Sequence, residues 1–189
     1  MVRKCALLLL LLFYAIVTVM AQDPGFRGLR WGTSRDAVIQ AEGRPDRENE
    51  SEVVYHSTLV AGHEAGLSFA FGSDGGLVSG SYTFTARYGI SLADPYTRDF
   101  DDIDQRLGRI HGEPSMRRDE WRAGRVGSRG DSAIRNRSLT LFSGWDIGDT
   151  TILHVMQQGG SRVEHVLIYF PAAAGSATDL YHHMMTSGL

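Results

Sequence analysis

The sequence has 189 residues, of which 42% are hydrophobic and 22% are charged, and it contains 22 glycines and 5 prolines. This composition is typical of one globular domain or two small ones, and it excludes a disordered chain, a collagen-like chain and a polytopic membrane protein. The formal charge of −3 gives no reason to expect a nucleic acid or an anionic lipid surface as a partner.

The first residues have the pattern of a secretory signal. Arg3 and Lys4 form a short basic region, residues 5–20 are almost all apolar, and the residues up to Ala21 match a signal-peptidase site. We predict cleavage after Ala21 and export to the periplasm or the medium. An uncleaved anchor is the alternative, because the apolar run is only slightly shorter than the roughly 18 to 20 residues that span a bilayer.

Removal of residues 1–21 leaves a mature chain of 168 residues without cysteine or lysine, since Cys5 and Lys4 are the only ones in the sequence. Disulfides and thiolate-bound metals are thereby excluded. Without Arg3 and Lys4, 17 of the 19 basic residues remain against 22 acidic ones, a formal charge of −5. We expect no cofactor, no nucleic-acid partner and no stable membrane insertion of the mature chain; the partner class that fits an exported protein is another envelope protein.

The first part of the mature chain predicts one helix followed by three strands. Thr33 is the expected N-cap of the helix, and Gly43-Arg44-Pro45 ends it. The strands are expected over residues 53–60, 67–71 and 77–85.

A hairpin turn at Asp74-Gly75 joins the last two of these strands and fixes which side chains share a face. The apolar face is predicted to carry Leu67, Phe69, Phe71, Val78, Tyr82 and Phe84. The other face is predicted to carry Ser68, Ala70, Ser79, Ser81 and Thr83. We therefore expect this part of the sheet to be buried on one side only.

A second helix is predicted to begin at Asp94-Pro95, and Gly112-Glu113-Pro114 ends it. Its apolar stripe has helical spacing and consists of Tyr96, Phe100, Ile103, Leu107 and Ile110. Residues 115–137 are Arg-rich and are predicted to be irregular. Further strands are expected over residues 138–145, 150–157 and 163–170, and a short tail helix over residues 178–185.

The order of these elements predicts an α+β fold made of two repeats, each a helix followed by a three-stranded antiparallel meander. The repeats would span residues 22–92 and 93–171, with the insertion 115–137 in the second and a tail over residues 172–189. The alignment is gapless between residues 68–84 and 154–170, and pairs Phe69 with Val155. In this arrangement the second helix packs on Val155, Val166, Ile168 and Phe170. One continuous α+β domain is the alternative.

Several motifs resemble, in this order, a group of exported bacterial proteins of unknown function: Phe26-Arg27-Gly28-Leu29-Arg30-Trp31-Gly32, Gly43-Arg44-Pro45, Leu77 to Phe84 and Gly112-Glu113-Pro114. The unit from Gly32 to Pro45 also resembles the outer-membrane assembly lipoproteins of the BamE/SmpA type, and its duplication resembles the tandem β-lactamase-inhibitor fold. The resemblance implies a module that binds protein surfaces, and it assigns no catalytic residue. The BamE-type lipid-attachment cysteine is absent.

The second hairpin carries a large apolar and histidine-containing face where the first has small polar residues. This face consists of Ile152, His154, Met156, Val163, His165, Leu167 and Tyr169. Such a face needs a cover, which could be the tail helix, the other half of the protein or a partner. The protein-binding residues predicted from this contrast are Ile152, His154, His165, Leu167 and Tyr169.

The sequence gives weaker signals for a metal site or an acidic site. His154 and His165 would lie directly opposite each other if Gly159-Gly160 formed the turn, but no third metal ligand is evident. The helix positions of Asp99, Asp101, Asp102 and Asp104 predict that these carboxylates point to solvent.

We therefore predict a non-enzymatic protein-binding or envelope-associated module without catalytic, cofactor or metal residues. One alternative is an envelope enzyme whose site is assembled only by the fold. Another is surface adhesion through Arg129-Gly130-Asp131, which matches the adhesion tripeptide.

Overall fold

The computed structural model describes residues 25–85, 95–122, 130–159 and 162–187. The predicted signal over residues 1–21 lies outside the described residues, as does Asp94. In the part of the chain that is described, no helix is both long and apolar enough to cross a membrane.

The described residues form eight strands and four α-helices. The strands are β1 (Arg47–Glu48), β2 (Glu52–Val60), β3 (His63–Phe71), β4 (Leu77–Phe84), β5 (Met116–Trp121), β6 (Leu139–Ile147), β7 (Thr150–Gly159) and β8 (Arg162–Pro171). The helices are α1 (Arg35–Glu42), α2 (Pro95–His111), α3 (Asp131–Arg135) and α4 (Ala177–Ser187), with a 3-10 turn at Ala172–Ala174.

All eight strands belong to one antiparallel sheet in the order β1-β2-β3-β4-β8-β7-β6-β5. The predicted fold of two repeats, each a helix with a three-stranded meander, is therefore wrong. Strand β4 pairs with β8, with Ser81 opposite Ile168 and Tyr82 opposite Leu167. This pairing satisfies backbone groups that would be unpaired at the edges of two separate meanders.

The predicted irregular segment 115–137 contains a strand and a helix that the sequence reasoning missed. Strand β5 lies at the edge of the sheet and consists largely of charged residues, including Arg117, Arg118, Asp119 and Glu120. An edge strand can carry charges because one of its sides faces solvent, and charges there discourage pairing with another chain. Helix α3 has five residues and buries Ala133 and Ile134.

Helices α1, α2 and α3 pack on one face of the sheet, which we call the core face. Phe100, Ile103 and Leu107 of α2 are buried there, as the apolar stripe predicted, while Ile110 near the end of the helix is 72% exposed. The helix packs on the side of the sheet that carries Ile152. It does not pack on the predicted set Val155, Val166, Ile168 and Phe170. Val155, Val166 and Phe170 belong to a cluster on the opposite face, and Ile168 shares that face because its strand neighbours Leu167 and Tyr169 point to the core face.

The predicted orientation of the second hairpin is wrong because the gapless alignment pairs residues that point to opposite faces. Phe69 lies in the cluster beneath α1 and α2, whereas its predicted equivalent Val155 lies in the cluster beneath α4. Successive side chains of a strand alternate between faces, so an offset of one residue exchanges the two faces completely. His154 and Met156, which flank Val155 in the strand, therefore lie on the core face.

Helix α4 covers the outer face of β6 and β7. Its buried residues Ala177 and Tyr181 pack on Phe142 and Val155. A side chain on Gly144 would place its Cβ 2.6 Å from the Cβ of Ala177, so glycine permits the close approach of this helix. The tail helix is therefore confirmed, but it covers the face opposite to the histidines.

The outer face of β3 and β4 carries small side chains that are half-buried or exposed, as predicted: Ser68, Ala70, Ser79, Ser81 and Thr83. The core side of this hairpin differs from the prediction at one position. A register shift between Ala70 and Phe71 turns Leu77 inward, so that Val78 is 42% exposed. Burial on one side only is confirmed for this part of the sheet.

Candidate functional site: a buried aspartate–histidine–histidine chain

The five residues that the sequence predicted for a protein-binding patch lie on the core face. The exposed fractions are 1% for Ile152, 0% for His154 and Leu167, and 6% for His165. Tyr169 is partly buried, and its ring centroid lies 4.9 Å from that of Phe26. The cover that this face requires is supplied within the chain, by the helices of the core face.

His154 and His165 form a hydrogen-bonded chain with a carboxylate from α2. The Oδ1 atom of Asp104 lies 2.6 Å from Nδ1 of His154, and Nε2 of His154 lies 2.7 Å from Nε2 of His165. The histidines are diagonal rather than directly opposite neighbours, because His154 pairs with Leu167 and His165 pairs with Met156. Gly159 pairs with Arg162, so the ladder does not have the register that a turn at Gly159-Gly160 would give.

The chemistry of the three groups determines the direction of the hydrogen bonds. A carboxylate accepts, so His154 donates to Asp104 through Nδ1–H. In a neutral ring Nε2 of His154 is then an acceptor, and His165 donates to it through Nε2–H. The Nδ1 atom of His165 carries the lone pair at the end of the chain.

Burial keeps both imidazoles neutral. It lowers the pKa of His154, and the hydrogen bond that His154 donates to Asp104 opposes this effect. Burial also lowers the pKa of His165 well below its ordinary value, and the neighbouring His154 and His63 add to the shift. The ring of Phe100 stacks on His154 with 4.0 Å between centroids and further excludes water.

Asp104 connects four elements of the fold. Besides His154 of β7, it accepts a hydrogen bond of 2.6 Å from Oγ of Ser143 on β6, and it lies 3.6 Å from a guanidinium nitrogen of Arg117 on β5. Its side chain is 3% exposed, so the prediction that it points to solvent is wrong. Asp104 follows Ile103 and lies four residues after Phe100, so its place on the buried stripe could have been recognised.

The other three acidic residues of the predicted solvent-facing group lie nearer the surface. His63 of β3 contacts two of them, with Nε2 at 3.1 Å from Asp102 and Nδ1 at 3.8 Å from Asp99. The hydrogen bond from His63 lowers the pKa of Asp102. Asp101 pairs with Arg117 at 2.8 Å. Within the described ranges, no group of three or more His, Cys, Asp or Glu residues has the arrangement of a metal site.

The adhesion tripeptide is only partly within the described residues, because Arg129 lies outside them. Asp131 is 2% exposed and begins α3. Its carboxylate accepts hydrogen bonds from the backbone N–H groups of Tyr96 and Thr97, at 3.1 and 3.0 Å. This carboxylate caps the first turn of α2 and is not presented to a receptor.

Three cavities of the described residues lie away from the Asp104 chain. Cavities of about 160 and 620 Å³ flank helix α4, and both are lined by Tyr181 and Met185. A shallow depression of about 230 Å³ lies in the outer face of β2 to β4, where Val54, Ser68 and Thr83 line it. The buried histidines line none of these three.

No protein-family model matches the sequence, and the curated proteins contain no match. Among solved structures, the chain is similar to a DUF4309 family protein, YjgB, from Bacillus subtilis subsp. subtilis str. 168. The two share 13% sequence identity with a TM-score of 0.39, over 74% of this chain and 78% of that one. This likeness supports no conclusion about function, and the resemblance to BamE/SmpA-type proteins stays a prediction.

Proposed function

We propose that this protein is an exported, non-enzymatic module that binds another envelope protein through the part of the outer sheet face that none of the described helices covers. This open face consists of Val54, Ser68, Ala70, Ser79, Ser81 and Thr83. The single observation that carries the proposal is the unequal covering of the sheet. Three helices pack on the core face and α4 packs on β6 and β7, whereas the outer side chains of β3 and β4 are half-buried or exposed.

The chemistry of the open face suits contact with a protein. Its side chains are small and uncharged, and the cores of protein interfaces are depleted of charged residues. Ser68 and Ser81 hydrogen bond to each other through their Oγ atoms at 2.9 Å, so part of their polarity is already satisfied. The depression of about 230 Å³ beside Ser68 and Thr83 offers a place for one projecting side chain of the partner.

An envelope enzyme is the alternative, and one observation favours it. Neutral, buried His165 stands at the end of the hydrogen-bonded chain in which the carboxylate of Asp104 orients His154. A general base must come within hydrogen-bond reach of its substrate. His154 is 0% exposed and His165 is 6% exposed, so a substrate cannot reach these two side chains as catalysis would require. We therefore assign it a structural role, that of fixing α2 on the sheet.

Substitutions on the open face test the binding proposal. Ser81→Arg and Ser68→Arg place a long charged side chain on it, while Ser73→Arg adds the same side chain to the exposed turn between β3 and β4 as a control. Quantitative affinity capture from the native envelope should lose at least one specific partner with Ser81→Arg and Ser68→Arg and retain it with Ser73→Arg. Equal recovery of every captured protein with all three variants would overturn the proposal, provided that their thermal melts match.

Export is tested separately by N-terminal sequencing of the protein from its native host. The predicted mature chain begins at Gln22. A protein that begins at Met1 and fractionates with membranes would contradict cleavage of the signal.

A further inference from the structure

The chain of Asp104, His154 and His165 depends on the number of protons that it holds. Asp104 of α2 accepts from Nδ1 of His154 at 2.6 Å, and the Nε2 atoms of the two histidines lie 2.7 Å apart. Only one of these two Nε2 atoms can carry a proton, because a hydrogen bond needs one donor and one acceptor. The geometry therefore permits some protonation states of the chain and forbids others.

A first additional proton can enter the chain without the loss of a hydrogen bond. It binds the lone pair at Nδ1 of His165, and His165 still donates to His154 through Nε2–H. The added positive charge then belongs to the same hydrogen-bonded chain as the negative charge of Asp104. Burial lowers the pKa of both histidines, and the bond to Asp104 partly offsets this effect for His154.

A second additional proton is incompatible with the contact between the two rings. Of the ring nitrogens, only Nε2 of His154 then still has a lone pair. Its protonation would make two N–H groups face each other across 2.7 Å, and neither could accept. Both rings would also be positively charged, and like charges at such a distance in a buried site repel strongly. One of the two rings must therefore leave.

The surroundings of the two rings indicate that His165 is the one that leaves. His154 is bound to Asp104, and the ring of Phe100 stacks on it with 4.0 Å between centroids. A positive charge on His154 would strengthen its bond to this carboxylate. His165 is the ring nearer to solvent, and it lies beside Phe84 with 4.5 Å between centroids and a tilt of 39°.

The backbone at His165 is placed for a local opening. The ladder between β4 and β8 ends where Thr83 pairs with Val166. His165 is the next residue of β8, so it lies just past the last position at which these two strands are paired. On its other side it still pairs with Met156 of β7. Positions with fewer backbone hydrogen bonds open at a lower free energy than the centre of a sheet.

We propose that the chain of Asp104, His154 and His165 is a two-step pH switch that opens the contact between β4 and β8. The first proton is taken up with every hydrogen bond of the chain intact. The second proton displaces His165 from its place beside Phe84 and exposes this ring next to Phe100 of α2. An apolar contact that is buried in the neutral protein thereby becomes accessible in acid. The switch lies on the core face and does not depend on the open face.

Charged groups on neighbouring elements set the pH at which each step occurs. Arg117 of β5 lies 3.6 Å from Asp104 and competes with the added proton as the cation of this carboxylate. His63 of β3 acts on His165, and a positive charge on His63 is balanced by its two carboxylate neighbours. The charged and titratable side chains around the pair are Asp101 and Asp104 on α2, His63 with its neighbours Asp99 and Asp102, Arg117 on β5, and Asp131 at the start of α3.

Nitrogen NMR of the full mature chain, labelled at histidine, tests the two steps directly. The bond between the Nε2 atoms gives a coupling between two nitrogen nuclei that reports this bond alone. From about pH 8 to about pH 4, we expect protonation of His165 at Nδ1 with the coupling retained, and loss of the coupling at least about one unit lower. Loss of the coupling in the first step would overturn the proposal. So would a coupling that persists until circular dichroism shows unfolding of the whole chain.

Two variants with matched controls identify the groups that operate the switch. Arg117→Met removes the cation beside Asp104 and should move the first step to higher pH by about half a unit. Arg118→Met, on the other face of β5, should leave this step in place. An equal effect of the two variants would contradict the competition between Arg117 and the proton.

His165→Gln keeps a side chain that can donate to His154 but cannot take up a proton in this range. In the wild type and in His182→Gln, on the exposed surface of α4, acid should accelerate amide hydrogen exchange at Phe84 and Val166 at least tenfold beyond its intrinsic pH dependence. In His165→Gln this acceleration should be absent. Equal acceleration in all three proteins would show that His165 does not drive the opening.

Discussion

Asp104 of α2 and His154 of β7 form a buried hydrogen bond of 2.6 Å between Oδ1 and Nδ1. The bond is made in the middle of an otherwise apolar contact, where Phe100 stacks on the imidazole. A slide of α2 by one turn would leave both polar groups buried without a partner, which is costly in a low-dielectric interior. The pair therefore fixes the position of the helix on the sheet.

Loss of this carboxylate should destabilise the fold strongly. Asp104→Ala leaves the Nδ1–H of His154 and the hydroxyl of Ser143 buried without their acceptor, and we expect the free energy of unfolding to fall by about 3 kcal/mol. Asp101→Ala, on the same helix but with its side chain 36% exposed, should cost less than about 1 kcal/mol. Urea denaturation of the two variants measures the difference, and equal losses would show that the buried pair has no special role.

The stability of the protein should decrease on acidification through the histidine pair. The pKa values of His154 and His165 are lowered in the native state, so the unfolded chain binds protons that the native chain does not. Their contribution is fully present above the unfolded pKa of about 6.5 and is lost as the pH falls toward the folded values. The ionisable side chains that act electrostatically on the pair are those of Asp104, Asp101, Arg117 and His63.

Urea midpoints measured from about pH 8 to pH 5 test this expectation. His165→Gln removes one of the two titrating groups and should flatten the decrease. His182→Gln, on the exposed surface of α4, should leave the pH dependence unchanged. A pH profile that is identical in the wild type and in His165→Gln would contradict the assignment.

Two glycine substitutions should have effects of opposite sign. The Cβ of Gly80→Ala would lie 1.9 Å from the ring of Phe26, which is fully buried against β4, so we expect a loss of several kcal/mol, about 3 or more. Gly108→Ala on α2 meets no atom within 4 Å and should stabilise the helix by about 0.5 to 1 kcal/mol. Thermal melts of the two variants measure the signs, and a stabilised Gly80→Ala would contradict the packing of Phe26.

Helix α4 should contribute to stability through its contact with the outer face of β6 and β7. Tyr181→Ala removes a ring whose centroid lies 4.8 Å from that of Phe142, and we expect a cost of about 3 kcal/mol. His183→Ala on the exposed side of the same helix is the matched control. Deletion of residues 176–189 should destabilise the protein further; a truncated chain with an unchanged melt would mean that α4 is not a permanent cover.

Local patterns in the sequence predicted most of the individual elements. The stripe of Phe100, Ile103 and Leu107 identified α2, and Asp74-Gly75 identified the turn between β3 and β4. Strand β5 was missed because Arg117 and its charged neighbours show no apolar alternation. Such a strand is defined by its pairing with β6, which local sequence does not contain.

The arrangement of the elements was harder to predict because it depends on contacts between distant residues. The pairing of Ser81 with Ile168 joins the two meanders and has no signal in either strand alone. The apolar residues of β7 and β8 occupy both faces, since both are covered, so their pattern does not say which face meets α2. Because of this ambiguity, the sequence analysis placed His154 on an accessible patch, whereas the fold buries it.

The measurement that tests the central claim most directly is the rate of thiol alkylation on the two faces of the sheet. With Cys5 as the only native cysteine, single cysteines at Thr83 and Leu167 can be compared in the mature chain. Thr83 is exposed on the open face, and Leu167 is 0% exposed beneath the helices of the core face. We expect Thr83→Cys to react rapidly in the native protein and Leu167→Cys to react only on unfolding. Rapid native alkylation of Leu167→Cys together with protection of Thr83→Cys would contradict the assignment of the two faces.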